Sequence, residues 1–146
     1  MRIAVGSDHA GFALKEQVRA ALEGAGHEVV DVGTHSADSV DYPAFAADAA
    51  RLVAAGDADR AVLACGSGNG VAIVANKVAG IRAVNAHDVH EAEMARRHND
   101  INVVTLSGAA LAPQEANAIV ETFLSTAAEG GRHARRVGQI GDLEQA

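Results

Sequence analysis

Cysteine, tryptophan and positive charge are all scarce in this chain of 146 residues. A single cysteine, Cys65, excludes a disulfide within the chain. Lysine and arginine together number 12 against 19 aspartates and glutamates, and the resulting formal charge of −7 repels nucleic acid. Aromatic residues make up 3% of the chain, so few side chains can stack on a base or a sugar ring. These absences argue against a nucleic-acid partner and favour a small, polar ligand.

The sequence also lacks an apolar run of membrane-spanning length and a signal-like segment at its start. Together with the single cysteine, this leads us to expect a cytoplasmic protein without a membrane partner. The length suits one domain, residues 1–146, that buries a core without disulfides. No internal repeat or linker-like stretch divides the chain.

Short apolar runs alternate with amphipathic stretches along the whole sequence, which is typical of an α/β protein. The predicted strands are residues 2–6, 28–33, 60–64, 81–84 and 102–106. Between and after them, apolar residues recur at helical spacing, and a C-terminal helical segment is predicted at about residues 129–146. We predict a Rossmann-like or flavodoxin-like three-layer sandwich with a five-stranded parallel sheet in the order 2-1-3-4-5.

In a parallel sheet of this order, the direction in which successive strands are added reverses between strands one and three. Ligands bind beyond the carboxyl ends of the strands at such a point. Asp8 and His9 follow strand one directly, and Cys65 ends strand three. The topology therefore predicts that a carboxylate, an imidazole and a thiol lie at one crevice.

The most informative segment runs from Cys65 to Gly70, with the sequence CGSGNG, between a predicted strand and a predicted helix. The N-terminus of a helix stabilises a thiolate and directs N–H groups at a bound anion. The segment lacks the Gly-Lys-Ser/Thr ending of a nucleotide P-loop. It is either a base with an anion-binding loop or simply a tight turn beside a small buried cysteine.

Three other groups each have a structural and a functional interpretation. Asp8 is a favoured helix N-cap residue, or a carboxylate that orients a hydroxyl. The segment 98–100 (HND) is a polar turn, or offers a titratable imidazole beside an amide. Arg132 and Arg136 lie four residues apart, on one face of a helix that either faces solvent or grips one phosphate.

Metal and Schiff-base chemistry are disfavoured. His87 and His90 lie three residues apart on a predicted helix, but no thiolate or carboxylate set completes a metal site around them. Lys15 and Lys77 are the only lysines, and neither falls at the predicted crevice. These residues therefore indicate neither a metal site nor Schiff-base chemistry.

Taken together, motifs along nearly the whole chain resemble the type B ribose-5-phosphate isomerase family, which includes the subunits of galactose-6-phosphate isomerase. Their joint order and spacing are highly specific. The motifs are Gly6 to Gly11 (GSDHAG), residues 41–43 (DYP), Cys65 to Gly70 (CGSGNG), residues 75–77 (ANK), residues 80–83 (GIRA), residues 98–103 (HNDINV) and residues 129–133 (EGGRH).

The resemblance implies an isomerase that moves a proton between C1 and C2 of a sugar phosphate through an enediolate, with ribose 5-phosphate and ribulose 5-phosphate as the expected pair. By similarity, Cys65 is the base, Ser67 assists it, and Asp8 and His98 serve ring opening. The implied binding residues are Gly66, Gly68, Asn69 and Gly70 for the enediolate oxygen, Tyr42 and Asn99 for sugar hydroxyls, and His9, Arg132 and Arg136 for phosphate. The resemblance also implies an enzyme that needs neither a metal nor a cofactor. It implies a dimer or tetramer in which the loop with His98 and Asn99 comes from the neighbouring subunit.

Two further residues refine this reading of the family. One branch uses a glutamate just after the glycine loop as its base, and Val71 at that position puts this chain in the cysteine branch. Many members have an arginine where this chain has Ala109. A tetrose phosphate or a hexose 6-phosphate is therefore an alternative substrate, and an inactive phosphometabolite-binding module is an alternative from another class.

Overall fold

Buried apolar strands alternate with amphipathic helices, and in the computed structural model, which describes residues 1–145, they form one five-stranded parallel sheet covered by helices on both faces. The predicted fold class is confirmed. The strands are β1 (Arg2–Ser7), β2 (Glu28–Asp31), β3 (Arg60–Cys65), β4 (Ala83–Asn85) and β5 (Val103–Ser107). The helices are α1 (Phe12–Gly24), α2 (Tyr42–Ala54), α3 (Asn69–Asn76), α4 (Val89–Asn99), α5 (Pro113–Ser125) and α6 (Arg132–Asp142).

The two faces of the sheet bury separate apolar clusters, because successive side chains of a strand point to opposite faces. One cluster joins the sheet to α1, α4 and α5 and includes the fully buried Phe123. The other joins it to α2 and α3 and contains small side chains such as Ala46 and Ala50. Ala64 belongs to the first cluster and Cys65 to the second, so the thiol faces α2 and α3.

The observed strand order is β2-β1-β3-β5-β4, so the predicted order 2-1-3-4-5 is wrong in its last two positions. β5 is buried along its whole length and pairs with β3 on one side and β4 on the other. β4 has only three residues, and the side-chain amide of Asn76 bonds the N–H and C=O of Ala83 at 2.8 and 2.9 Å. A short strand with a capped backbone suits the sheet edge. The crevice between β1 and β3 is unaffected, but β5 rather than β4 borders Cys65.

The last turn of α4 contains His98 and Asn99, which the structural interpretation of the sequence placed in a polar turn. The helix ends at Asp100, whose φ of 45° is left-handed. Buried Arg96 fixes this end, because its guanidinium donates to the Asp100 carboxylate at 2.8 Å and to the Ile101 carbonyl at 2.6 Å. His98 and Asn99 therefore lie on a rigid helix end and not in a turn.

Helix α6 and a short 3-10 helix (Leu143–Gln145) fall within the predicted C-terminal segment 129–146, of which residue 146 lies outside the described residues. The backbone N–H of Glu129 donates to the Arg97 carbonyl at 2.8 Å, which ties the start of this segment to α4. Among residues 1–145, no helix is long and apolar enough to cross a membrane.

Gly11 gives a test of how closely the β1–α1 turn packs on β3. A Cβ at this position would lie 2.5 Å from the Ala64 carbonyl and 2.8 Å from the Cys65 nitrogen. We expect Gly11→Ala to lower the free energy of unfolding by roughly 1–3 kcal/mol through overpacking. Gly24→Ala is the matched control, since a Cβ there has no neighbour within 4 Å. Urea denaturation measures both, and equal effects would contradict the packing.

Candidate active site

Cys65 ends β3, and its thiol lies at the start of α3. The chain turns within three residues because Gly68, the N-cap of α3, adopts a left-handed φ of 81°. This turn brings the Gly68 N–H to the Cys65 Sγ at 3.2 Å. Both the N–H donor and the helix dipole stabilise a negative charge on sulfur. The segment is therefore a tight turn beside a buried cysteine, as its structural interpretation predicts. The same geometry also suits a thiolate, as its functional interpretation requires.

Asp8 and His9 lie on the β1–α1 turn, which packs directly on the cysteine loop. Asp8 is buried, and its Oδ1 accepts from the Gly11 N–H at 3.0 Å. It closes this turn but is not the helix N-cap, which is Gly11. His9 Nδ1 lies 3.1 Å from the Val40 nitrogen and 3.2 Å from the Val40 carbonyl oxygen, so this ring nitrogen is engaged with the backbone. Nε2 is the other ring nitrogen and is the one that His9 can offer to a ligand.

Tyr42 begins α2, and its ring lies over Gly70. A Cβ at Gly70 would come within 2.5 to 2.7 Å of the Tyr42 ring and hydroxyl. Only glycine at this position lets the phenol reach the first turn of α3. The close approach brings Tyr42 to the glycine loop, where Ser67 Oγ also accepts from the Asn69 N–H at 3.1 Å.

One carboxyl edge of the sheet thus collects most of the predicted site residues. The residues that lie there are Asp8, His9, Tyr42, Cys65, Gly66, Ser67, Gly68, Asn69 and Gly70. Ala109 borders the same loop, because its N–H donates to the Gly66 carbonyl at 3.1 Å while its side chain is exposed.

The remaining predicted site residues, His98, Asn99, Arg132 and Arg136, lie at the opposite, amino edge of the sheet. The Asn99 carbonyl accepts from Arg82, just before β4, at 3.0 Å, and the nearby Asn102 carbonyl accepts from the Ala61 N–H at the start of β3 at 3.1 Å. Cys65 lies at the far end of that strand, and strands of this length span roughly 17–20 Å. One chain therefore does not bring these two groups of residues together.

At the amino edge, His98 stacks on His133 with ring centroids 4.1 Å apart and an angle of 6° between the planes. Glu129 lies beside both rings, 3.5 Å from His98 Nε2 and 3.9 Å from His133 Nε2. Arg97 Nε donates to the same carboxylate at 2.7 Å, and this hydrogen bond lowers the pKa of Glu129. Burial, together with the charges of His98 and Arg132, lowers the pKa of His133.

His98, Glu129 and His133 are spaced closely enough to hold a metal ion, since their ligand atoms lie within 4.8 Å of one another. A metal would have to compete with Arg97 for the carboxylate. The expectation of no metal stays a prediction. Sequence reasoning missed His133 as a site residue, although it belongs to the motif at residues 129–133.

Sequence reasoning also missed Asn85, Thr105 and Ser107, whose side chains hydrogen-bond to the glycine loop. The available signal was their polarity, because two of them interrupt an otherwise apolar strand. The predicted strand order hid the connection, since it placed β4 rather than β5 next to the cysteine strand.

Comparison with known proteins identifies the family of this chain. A family model described as Ribose/Galactose Isomerase matches residues 3–140. The chain belongs to the ribose/galactose isomerase family. The predicted resemblance is therefore confirmed, and the match spans the motifs from β1 to α6.

Relatives and solved structures of this family member carry consistent names. The chain is 44% identical over 144 residues to ribose-5-phosphate isomerase B of Escherichia coli K12, with 99% of this chain and 97% of the relative covered. A Clostridium thermocellum ribose-5-phosphate isomerase B structure superposes with a TM-score of 0.98 at 45% identity, covering 99% of this chain and 98% of that one. A Mycoplasma genitalium structure, with bound ribulose-5-phosphate, has a TM-score of 0.93 at 37% identity and covers 99% and 96% of the two chains.

The stacked pair predicts a titration that NMR can measure. We expect the pKa of the His133 imidazole to lie below the usual histidine range, because burial and the neighbouring positive charges disfavour its protonated form. His98→Gln removes one of these charges and raises the pKa of His133, whereas Glu129→Gln removes an attractive charge and lowers it. Carbon–proton correlation spectra of the ring ε1 position follow each titration, with His133→Gln for assignment. A His133 midpoint that is not lowered from the usual histidine value in the unsubstituted chain would contradict the described environment.

Proposed function

We propose that this chain interconverts ribose 5-phosphate and ribulose 5-phosphate, with Cys65 as the base. The observation that carries the proposal is the position of the thiol at the β1–β3 crevice. There the Cys65 Sγ accepts a hydrogen bond from the Gly68 N–H at 3.2 Å. Family membership and the names of the relatives support this substrate pair. The bound ribulose-5-phosphate of the Mycoplasma genitalium structure supports it further.

The chemistry follows from the groups around Cys65. The thiolate removes the C2 proton of the open-chain aldose and returns it to C1 while a proton moves from O2 to O1, so the substrate passes through an enediolate to the ketose. N–H groups of the glycine loop and the Ser67 hydroxyl stabilise the charge that develops on the substrate oxygen. Tyr42 contacts sugar hydroxyls, and Nε2 of His9 is available to the phosphate.

The groups still needed, for ring opening and for further phosphate contacts, are those at the amino edge. We therefore assign to this chain a homodimer or tetramer in which His98, Asn99, Arg132 and Arg136 of one subunit complete the Cys65 crevice of its neighbour. The separation of the two groups within one chain supports this arrangement. A thiolate base works only while reduced, which suits a cytoplasmic location.

A tetrose phosphate or a hexose 6-phosphate is the second candidate substrate, and Ala109 favours it. The backbone of Ala109 contacts the glycine loop, so its exposed side chain leaves room where the family often has an arginine. Comparing kcat/KM across four-, five- and six-carbon aldose phosphates tests this. A clear preference for four or six carbons would replace ribose 5-phosphate as the substrate.

Cys65→Ala tests the base assignment. We expect kcat to fall by orders of magnitude while KM changes little, because a proton transfer in the transition state is lost and the substrate contacts remain. Exchange of solvent deuterium into C2 of ribose 5-phosphate should stop as well. Binding of ribose 5-phosphate by calorimetry is the control for an intact site. Near-normal exchange by Cys65→Ala would exclude the thiol as base, and no exchange by the unsubstituted chain would favour a binding module.

Mixing two inactive variants tests the shared site. Cys65→Ala and His98→Asn chains should each be nearly inactive alone, since each lacks one essential group in every site. After subunit exchange, a mixed dimer has one site with both original residues, so about a quarter of the activity returns. The double variant mixed with either single variant is the control and stays inactive. No recovery despite mass-spectrometric proof of exchange would assign both residues to one subunit's site.

A further inference from the structure

Three consecutive carbonyls of the glycine loop each accept a hydrogen bond from a side chain of the neighbouring strands. Ser107 Oγ donates to the Gly66 carbonyl at 2.6 Å, and Thr105 Oγ1 donates to the Gly68 carbonyl at 2.7 Å. Between them, Asn85 Nδ2 donates to the Ser67 carbonyl at 3.0 Å. We refer to Asn85, Thr105 and Ser107 as the carbonyl clamp.

Sheet register places the members of the clamp at adjacent positions. Ser107 lies opposite Cys65 across the β3–β5 ladder, and Asn85 lies opposite Thr105 across the β4–β5 ladder. Thr105 and Ser107 are two residues apart on one strand, so both side chains point to the face of α2 and α3. The clamp exists only because β5 lies between β3 and β4.

Both hydroxyls of the clamp, those of Thr105 and Ser107, are constrained by their surroundings. Thr105 is fully buried, and a buried hydroxyl without a partner costs stability, so its single donor stays on Gly68. Ser107 Oγ accepts from the Ala110 N–H at 3.2 Å, which leaves its proton free for Gly66. Both donors are therefore directed at the loop.

Asn85 acts on the thiol through one peptide plane. The Ser67 carbonyl and the Gly68 N–H belong to the same trans peptide unit and point in opposite directions. A donor that holds the Ser67 carbonyl on one side of the chain therefore directs the Gly68 N–H to the opposite side. The Cys65 Sγ lies on that side, 3.2 Å from the Gly68 nitrogen. The same geometry links the Thr105 contact with Gly68 to the Asn69 N–H, which donates to Ser67 Oγ.

The environment of Asn85 suggests that its donor matters more than its contribution to stability. Its Nδ2 also donates to Asn69 Oδ1 at 2.8 Å, whereas its Oδ1 is buried without a partner among the described residues. An orphaned buried oxygen is unfavourable, and an apolar side chain would avoid it. The Asn85 amide also fills the space that a Cβ at Gly68 would need.

We propose that the carbonyl clamp consists of positioning residues that aim the loop N–H groups and so stabilise the Cys65 thiolate. Asn85 is its central member, since it alone holds the peptide whose N–H bonds the sulfur. The consequence for catalysis rests on the proposed function, but the effect on the thiol does not.

The test uses isosteric losses of each donor, Asn85→Leu, Thr105→Val and Ser107→Ala, with Thr105→Ser as the variant that keeps a hydroxyl. Thr122→Val in α5, on the other face of the sheet, is the matched control. Because Cys65 is the only cysteine, its alkylation by iodoacetamide reports on this thiol alone. The rate is measured against pH, alongside kcat and KM for ribose 5-phosphate and the urea midpoint of each variant.

We expect Asn85→Leu to move the pH midpoint of alkylation upward and to lower kcat roughly 2- to 10-fold with KM nearly unchanged, as loss of the one neutral hydrogen bond that aims the Gly68 N–H predicts. Thr105→Val should shift both in the same direction by less, while Thr105→Ser and Thr122→Val behave like the unsubstituted chain. An unchanged alkylation profile in Asn85→Leu and Thr105→Val would overturn the proposal, whatever their urea midpoints. An altered profile with unaffected turnover would keep the clamp and instead contradict Cys65 as the base.

Discussion

Backbone pairing between β3 and β5 is the interaction on which the rest of this structure depends. The ladder sets Ser107 opposite Cys65, and it continues past the strand ends, where the Gly108 N–H donates to the Cys65 carbonyl at 2.8 Å. A Cβ at Gly108 would lie 2.7 Å from the Ala10 carbonyl, so the turns after β1, β3 and β5 share one crowded space. Close packing of three turns holds the thiol in place before any substrate arrives, and the proposed role of Cys65 as a base needs such preorganisation.

Local sequence pattern predicted much of the fold, and non-local pairing accounts for what it missed. Alternating apolar runs indicated the strands, and the glycines after Cys65 indicated the turn into α3. The predicted order of β4 and β5 was wrong because it paired β4 with β3, as the usual pairing of consecutive strands favours. The only signal against this pairing was the short, polar end of β4. The partners of the loop, Thr105 among them, could not be found without that order. The stacking of His98 on His133 likewise joins two helices that local pattern treats separately.

The division of charged and nucleophilic groups between the two sheet edges has a physical basis. A strand that ends beside a helix N-terminus offers N–H donors and suits a thiolate, whereas the end of α4 offers carbonyls and suits cations. Arg96, Arg97 and His98 occupy the last turn of α4, as this polarity favours. The last turn of α4 therefore carries the charge that its own backbone stabilises. A reaction that needs both kinds of group has to bring two edges together.

The side chain of Asn76 has a consequence for how copies of this chain can associate. β4 is an edge strand, and an edge strand normally presents free backbone groups to which another strand can be added. The Asn76 side chain already hydrogen-bonds the N–H and the C=O of Ala83. These are the first backbone groups of β4 that point away from β5. With only three residues in the strand, this leaves too little free backbone for a continuous intermolecular sheet. A second copy that met this edge would therefore be held by side-chain packing, which can be separated without breaking a backbone ladder.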